Sequence, residues 1–231
     1  MSHAHLHGPT AVALATALLA LAGLSACGGP ASTPPAPQAG NRLLVVDGIE
    51  VTLDDLQPWL EFLDSFGPEV APKVKVRRAL DEYVLPMRFA ERSFAAARAE
   101  QLALAKQLRA VATNTYELEQ RGALLVQKRR NISYSSIDFP IARFVFDELR
   151  LGSVSEPLAV PRGFVVASGF DIHKTSLVAN DIADAVLVGF FTHSPADWAT
   201  WLEGEKRRVG GLVTFVHPEH REAMPTWLQL P

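Results

Sequence analysis

The sequence predicts an α+β fold, mainly helical. A short hairpin pattern opens the folded part, Leu43-Leu44-Val45-Val46, Asp47-Gly48, then Ile49-Glu50-Val51. A long middle stretch, Lys73 to Leu118, is dominated by helix formers at helical spacing. A helix and then a strand, Trp198 to Arg208 and Leu212 to Val216, close the chain.

The leader comes first. Residues 1–26 carry no Asp, Glu, Lys or Arg, and Ala11 to Leu24 is an almost unbroken Ala, Leu, Val and Gly run of about 14 residues. A spanning helix needs about 20, whereas a short apolar run ending in small residues reads as a secretory signal. Here the run ends Leu24-Ser25-Ala26-Cys27-Gly28, which resembles the bacterial lipobox. That resemblance implies cleavage before Cys27, a diacylglycerol on its thiol and an acyl chain on its new amine. The leader's start departs from the pattern, with only His3, His5 and His7 where Lys or Arg is usual. Gly28 to Gly40 is Pro-, Ala- and Gly-rich and uncharged, too poor in apolar mass to fold, and is expected to be a disordered tether over 27–40.

Composition restricts the rest. Cys27 is the sole cysteine, so an intrachain disulfide and a polythiolate zinc site are excluded. A net charge of −3 gives no electrostatic case for nucleic acid.

From Asn41 the elements follow in order. Asp47-Gly48 is a hairpin turn signal. Thr52 with Asp55 three residues on predicts an N-cap and capping box. The helix from Leu53 to about Phe66 carries the stripe Leu56, Trp59, Leu60 and Leu63, with Pro58 in its first turns and Gly67-Pro68 as its stop. Val76, Leu80, Tyr83, Val84 and Met87 mark a second helix, which Pro86 is expected to kink or break. Ala90 to Leu118, striped by Leu102, Ala105, Leu108 and Ala112, predicts a long helix continuing past Gly122 to about Arg130.

Asn131 to Asp138 reads as a loop and Ile141 to Leu149 as a short helix stopped by Gly152. Phe164 to Ala167 reads as a strand; Ala185 to Phe191 is strand or helix by periodicity alone. Ser194-Pro195-Ala196-Asp197 starts a helix with Pro at its first position. Gly210-Gly211 ends it before the final strand.

At two places this order resembles a known family. Val45 to Thr52 followed by helices resembles the opening of SurA-like and PrsA-like export chaperones. Phe146 to Leu158 (FDELRLGSVSEPL), then Pro161-Arg162-Gly163-Phe164-Val165-Val166, resembles the end of a parvulin-type peptidyl-prolyl isomerase domain. That family runs from a short helix through Gly-x-Val-Ser-x-Pro and a turn to Gly-Tyr-His on its last strand. The closing helix and strand are similar to those that return to the N-terminal domain in SurA-like chains. The resemblance implies a helical SurA-N-like domain over 41–130, a shortened parvulin-like module over 131–180 and a helix-strand segment over 181–231. It covers roughly 30 residues of the parvulin end and about 10 of the hairpin.

Catalysis is not expected to survive. Prolyl isomerisation faces a barrier of about 18–20 kcal/mol, which parvulins lower in a small apolar pocket beside two histidines and a Cys or Asp. The strand histidine falls on Val165 here, and no His occurs between His7 and His173. The family's Arg-His-Ile-Leu opening strand and its Gly-Gly-Asp-Leu-Gly segment have no counterpart.

Other chemistry reads as structural. His217-Pro218-Glu219-His220 is a surface turn rather than a metal site, since Pro218 favours a turn and no third ligand is near. Ser153 and Ser155 are turn residues, because no Gly-x-Ser-x-Gly elbow occurs. Lys128-Arg129-Arg130 and Lys206-Arg207-Arg208 read as solvated helix ends. Trp59, Phe62, Phe66, Phe144, Phe146 and Phe164 are the candidate peptide-binding aromatics, with core packing as the bland alternative.

The expectation is a lipid-anchored export chaperone or envelope assembly factor that needs no cofactor, metal or catalytic residue. It would hold unfolded or exported polypeptides; in a Gram-negative cell it would face the periplasm from the outer membrane. An active isomerase and an accessory lipoprotein of one dedicated envelope complex are the alternatives.

Overall fold

A computed structural model of the chain describes residues 41–65, 69–122 and 126–231. The leader, Cys27, the tether, Phe66 and the Gly67-Pro68 stop lie outside the described residues. The fold is α+β and mainly helical, as the sequence predicts.

Strands β1 (Arg42–Val46) and β2 (Ile49–Thr52) form the hairpin. Asp47 (φ 48°) and Gly48 (φ 75°) both take left-handed backbone, the geometry of a type I′ turn. Helix α1 (Leu53–Asp64) starts on the expected capping box: Thr52 Oγ1 accepts from Asp55 N–H, and Asp55 Oδ2 accepts from Thr52 N–H.

Pro86 does not break the next helix. Helix α2 (Pro72–Arg78) passes through a π-helical turn (Ala79–Val84) into α3 (Leu85–Ser93). Pro86 has no N–H to donate and its ring crowds the preceding turn. The backbone widens just ahead of it, with Leu85 N–H donating to the Leu80 carbonyl five residues back.

The stretch expected as one long helix is three elements. A break at Phe94 precedes α4 (Ala95–Val111), and Ala112 is extended. Thr113 and Asn114 then restart the chain as α5 (Thr115–Gly122), with Asn114 Oδ1 accepting from Glu117 N–H. Beyond it the expected helical continuation to Arg130 is strand β3 (Val126–Ser133). This correction has a physical reason. β3 is an edge strand, so Gln127 to Asn131 are exposed and carry charge rather than apolar alternation. Lys128-Arg129-Arg130 therefore sits on a sheet edge, not a helix end.

Helix α6 (Phe139–Val145) is shorter than expected, and Leu149 is solvent-exposed. It leads to β4 (Leu158–Val160), β5 (Gly163–His173) and β6 (Ile182–Phe191). The four strands make an antiparallel sheet in the order β3-β6-β5-β4. Both faces are covered. Val166, Val186, Val188 and Phe190 pack with Ala105, Leu108 and Leu118 of α4 and α5. Val165, Ala167, Ala185 and Leu187 pack with Ile141, Ala142, Phe144 and Val145 of α6. A strand covered on both faces shows no alternation, which is why Ala185 to Phe191 is ambiguous by periodicity.

Helix α7 (Pro195–Val209) has Ser194 as its N-cap and Lys206, Arg207 and Arg208 in its last turn. Strand β7 (Val213–Val216) then pairs with β1, matching Leu44 with Val216 and Val45 with Phe215. The C-terminal helix and strand thus return to the hairpin and complete a three-stranded sheet, β2-β1-β7. A second core forms there, with Leu43, Leu44, Val46, Leu56, Leu80, Phe89, Val209 and Leu228 buried.

Candidate functional site

An open cleft of about 550 Å³ lies between the hairpin core and one face of the four-stranded sheet. The sheet contributes Val165 from β5 and Leu187, Gly189 and Phe191 from β6, which alternate onto one face. The start of α6 supplies Ile137, Asp138 and Ile141. Opposite them stand Tyr83 and Pro86 of the π-widened helix, and Trp198 and Leu202 of α7. The volume falls in the range of about 300–1,000 Å³ typical of ligand pockets.

Packing fixes this lining. A Cβ at Gly189 would lie 2.2 Å from Cε2 of Phe191, so the missing side chain is what lets that ring fold back over β6. The Arg162 guanidinium carbon stands 3.9 Å from the centroid of the same ring, a cation–π contact. Arg162 lies on the Pro161-Arg162 turn between β4 and β5, and Arg98 of α4 pins that turn. Arg98 is 6 % exposed, donates from Nη1 to the Pro161 carbonyl at 2.9 Å and lies over the Phe164 ring at 5.1 Å.

Two charges are perturbed. Burial pushes the Asp138 carboxyl above its ordinary value, and the nearby positive charge of Arg162 opposes that rise. Desolvation lowers the Arg162 guanidinium, with the Asp138 charge acting the other way. Among the described residues, no hydrogen bond or ion pair holds the Arg162 guanidinium; its contact is the Phe191 ring. The Tyr83 hydroxyl is pushed up to about 12, chiefly by burial. Tyr83 stacks on Trp59 at 4.2 Å between centroids.

The predicted peptide-binding aromatics are mostly core. Trp59, Phe62, Phe144 and Phe146 are buried, and Phe164 is half-buried under Arg98. Trp59 belongs to the hairpin core, and Phe62, Phe144 and Phe146 to the α6 face of the sheet. Trp59, Phe62 and Phe144 lie on the inward faces of their helices, and none of the four lines the cleft described above. Phe66 and Cys27 lie outside the described residues. The residues that do face the cleft with chemistry, Asp138, Arg162 and Phe191, carry no sequence signal beyond a helix-start Asp and a Pro-Arg-Gly turn.

The remaining candidates make local contacts. Ser155 Oγ accepts from Ala167 N–H, and Ser153 Oγ donates to the Arg150 carbonyl. His217 and His220 pack on each other, with ring centroids 5.4 Å apart. His193 sits against Phe94 and Trp201. Among the described residues no group of three or more His, Cys, Asp or Glu is arranged to hold a metal ion. No described helix is long and apolar enough to cross a membrane.

Comparison with family models, with curated proteins and with solved structures finds no match to the chain.

Proposed function

We propose that this chain binds extended segments of unfolded or exported polypeptide in the cleft, as a lipid-anchored export chaperone or envelope assembly factor without isomerase catalysis. The observation that carries the reading is Val165. It lines the cleft on β5, at the position where the resembling parvulin sequence carries its strand histidine. The cleft therefore keeps an apolar floor at that point and has no imidazole there to polarise a twisted amide. Ile141, Leu187, Phe191 and Trp198 add apolar surface suited to side chains of an extended segment.

The chain also departs from the family's order. The strand with the resembling sequence is not last in its sheet; β6 follows it and pairs along nearly its whole length, from Gly163 with Phe191 to His173 with Ile182. An altered edge with a retained cleft suits a module kept for binding. The proposed setting is the periplasmic face of the outer membrane, if the cell is Gram-negative, with Cys27 as the anchor.

A second reading, an active isomerase, is favoured by Asp138, since the family's pocket holds a Cys or Asp beside its histidines and this cleft has a carboxyl. A prolyl-peptide isomerisation assay run beside an aggregation-suppression assay tests the proposal. Suppression of client aggregation with no rate gain over uncatalysed isomerisation supports it. A rate gain abolished by Asp138→Asn overturns it in favour of the isomerase. A single stoichiometric partner in a crosslinking pull-down, with no effect on unfolded clients, overturns it in favour of an accessory subunit of one complex.

A further inference from the structure

We infer that Arg162 makes the cleft selective for a carboxylate on the bound polypeptide, either an acidic side chain or the C-terminal end of the chain. The inference rests on the peptide-binding reading of the cleft and names what that site prefers.

The Arg162 guanidinium is oriented but unused. One face lies on the Phe191 ring at 3.9 Å, and no hydrogen bond or ion pair among the described residues occupies its N–H donors. A guanidinium carries five such donors in a planar fork that matches a carboxylate. A guanidinium seated over a ring keeps its in-plane N–H donors available to an anion. The support beneath it is packed: Gly189 leaves room for the Phe191 ring, and Arg98 ties the adjacent Pro161 carbonyl to α4.

The other charged groups of the cleft leave room for an anion. Glu82 is occupied, with Arg78 Nε donating to both of its oxygens at 2.9–3.0 Å. Arg129 adds a second cation at the β3 edge, where Nη2 donates to the neutral Gln127 side chain. Asp138 is the one acid facing Arg162, and it makes no ion pair with it among the described residues. Burial works against its charged form. An arriving carboxylate would thus meet an unpaired cation beside apolar walls, where a charge-assisted hydrogen bond counts for more than at an open surface.

The test is fluorescence anisotropy of the purified full chain with three labelled probes of one apolar core sequence. The first is a peptide amide, the second the same peptide with a free C-terminal carboxylate, and the third the amide with one internal Glu. Binding of the second or third at least about fivefold tighter than the first is expected, the scale of part of one charge-assisted hydrogen bond. Which of the two is tighter identifies the source of the carboxylate. Arg162→Gln should erase the preference, bringing the three probes to one affinity, and Asp138→Asn should enlarge it; matched thermal melts exclude misfolding of either variant. Equal binding of all three probes overturns the carboxylate preference and leaves the peptide-binding reading standing. Binding of none overturns both.

Discussion

Arg208 near the end of α7 donates from Nη2 to Oδ2 of Asp47 at 2.7 Å, tying the C-terminal helix to the hairpin turn across 161 positions of chain. The same guanidinium reaches Glu205, and Arg92 of α3 bridges to both acids, through Asp47 Oδ2 at 2.8 Å and Glu205 Oε1 at 2.9 Å. Two acids and two arginines from three elements close the hairpin lobe where β7 returns to β1.

The clasp should be acid-labile. Hydrogen bonds from Arg208 hold both carboxyls below their ordinary values of 3.8 and 4.5. Acids lowered by folding contribute stability that is present above those ordinary values and lost as pH falls through the folded ones. Urea denaturation should therefore show Arg208→Met less stable than the parent by about 1 kcal/mol at pH 7. The difference should shrink below pH 3.8. An unchanged difference at acid pH would show that the clasp acts by packing alone.

Asp138 should behave in the opposite sense. Its carboxyl is raised by burial, so the favourable neutral form is complete below the ordinary value of 3.8 and is lost as pH rises through the higher folded value. Asp138→Asn keeps the shape without the charge. It should raise the melting temperature at pH 7 and leave it nearly unchanged at pH 3, a comparison that differential scanning calorimetry makes directly.

Arg98 should be a stability residue with a binding consequence. Its buried guanidinium serves the carbonyls of the β4–β5 turn. Arg98→Leu leaves those acceptors without that donor and should cost about 2–3 kcal/mol in denaturant unfolding. Because the turn carries Arg162, peptide affinity should fall as well, and Arg98→Lys, lacking the planar fork, should restore it only in part.

Gly189 should be intolerant of a side chain. A Cβ there would fall 2.2 Å from the Phe191 ring. Gly189→Ala must displace that ring and the guanidinium over it, so peptide affinity should drop while the hairpin lobe keeps its fold. Nuclear magnetic resonance shift changes confined to residues near β6 would establish this; shifts spread through β1, β2 and β7 would contradict it.

Local chemistry made much of this fold legible in the sequence. Asp47-Gly48, the Thr52–Asp55 box and Ser194-Pro195 each satisfy backbone groups within a few residues, and the structure has each of them in place. Tertiary context decided the rest. The polar segment Gln127 to Arg129 is strand because Leu187 to Ala185 of β6 pair with it, and Pro86 is accommodated because a π-turn widens ahead of it. The cleft was the least legible feature. Asp138, the Arg162–Val165 segment and Trp198 lie far apart along the chain, and only packing brings them to one cavity. Of the aromatics proposed for binding, Trp59 packs in the hairpin core and Phe62, Phe144 and Phe146 pack on the α6 face of the sheet.

Site-specific photo-crosslinking distinguishes capture in the cleft from adsorption elsewhere on the chain. A benzophenone amino acid at position 198, beside the cleft, is compared with one at position 116 on α5, an exposed site on the helix layer packed against the other face of the sheet. With an unfolded apolar polypeptide present, binding in the cleft should give covalent capture at 198 and little at 116. Equal capture at both positions, or capture at 116 alone, would contradict it.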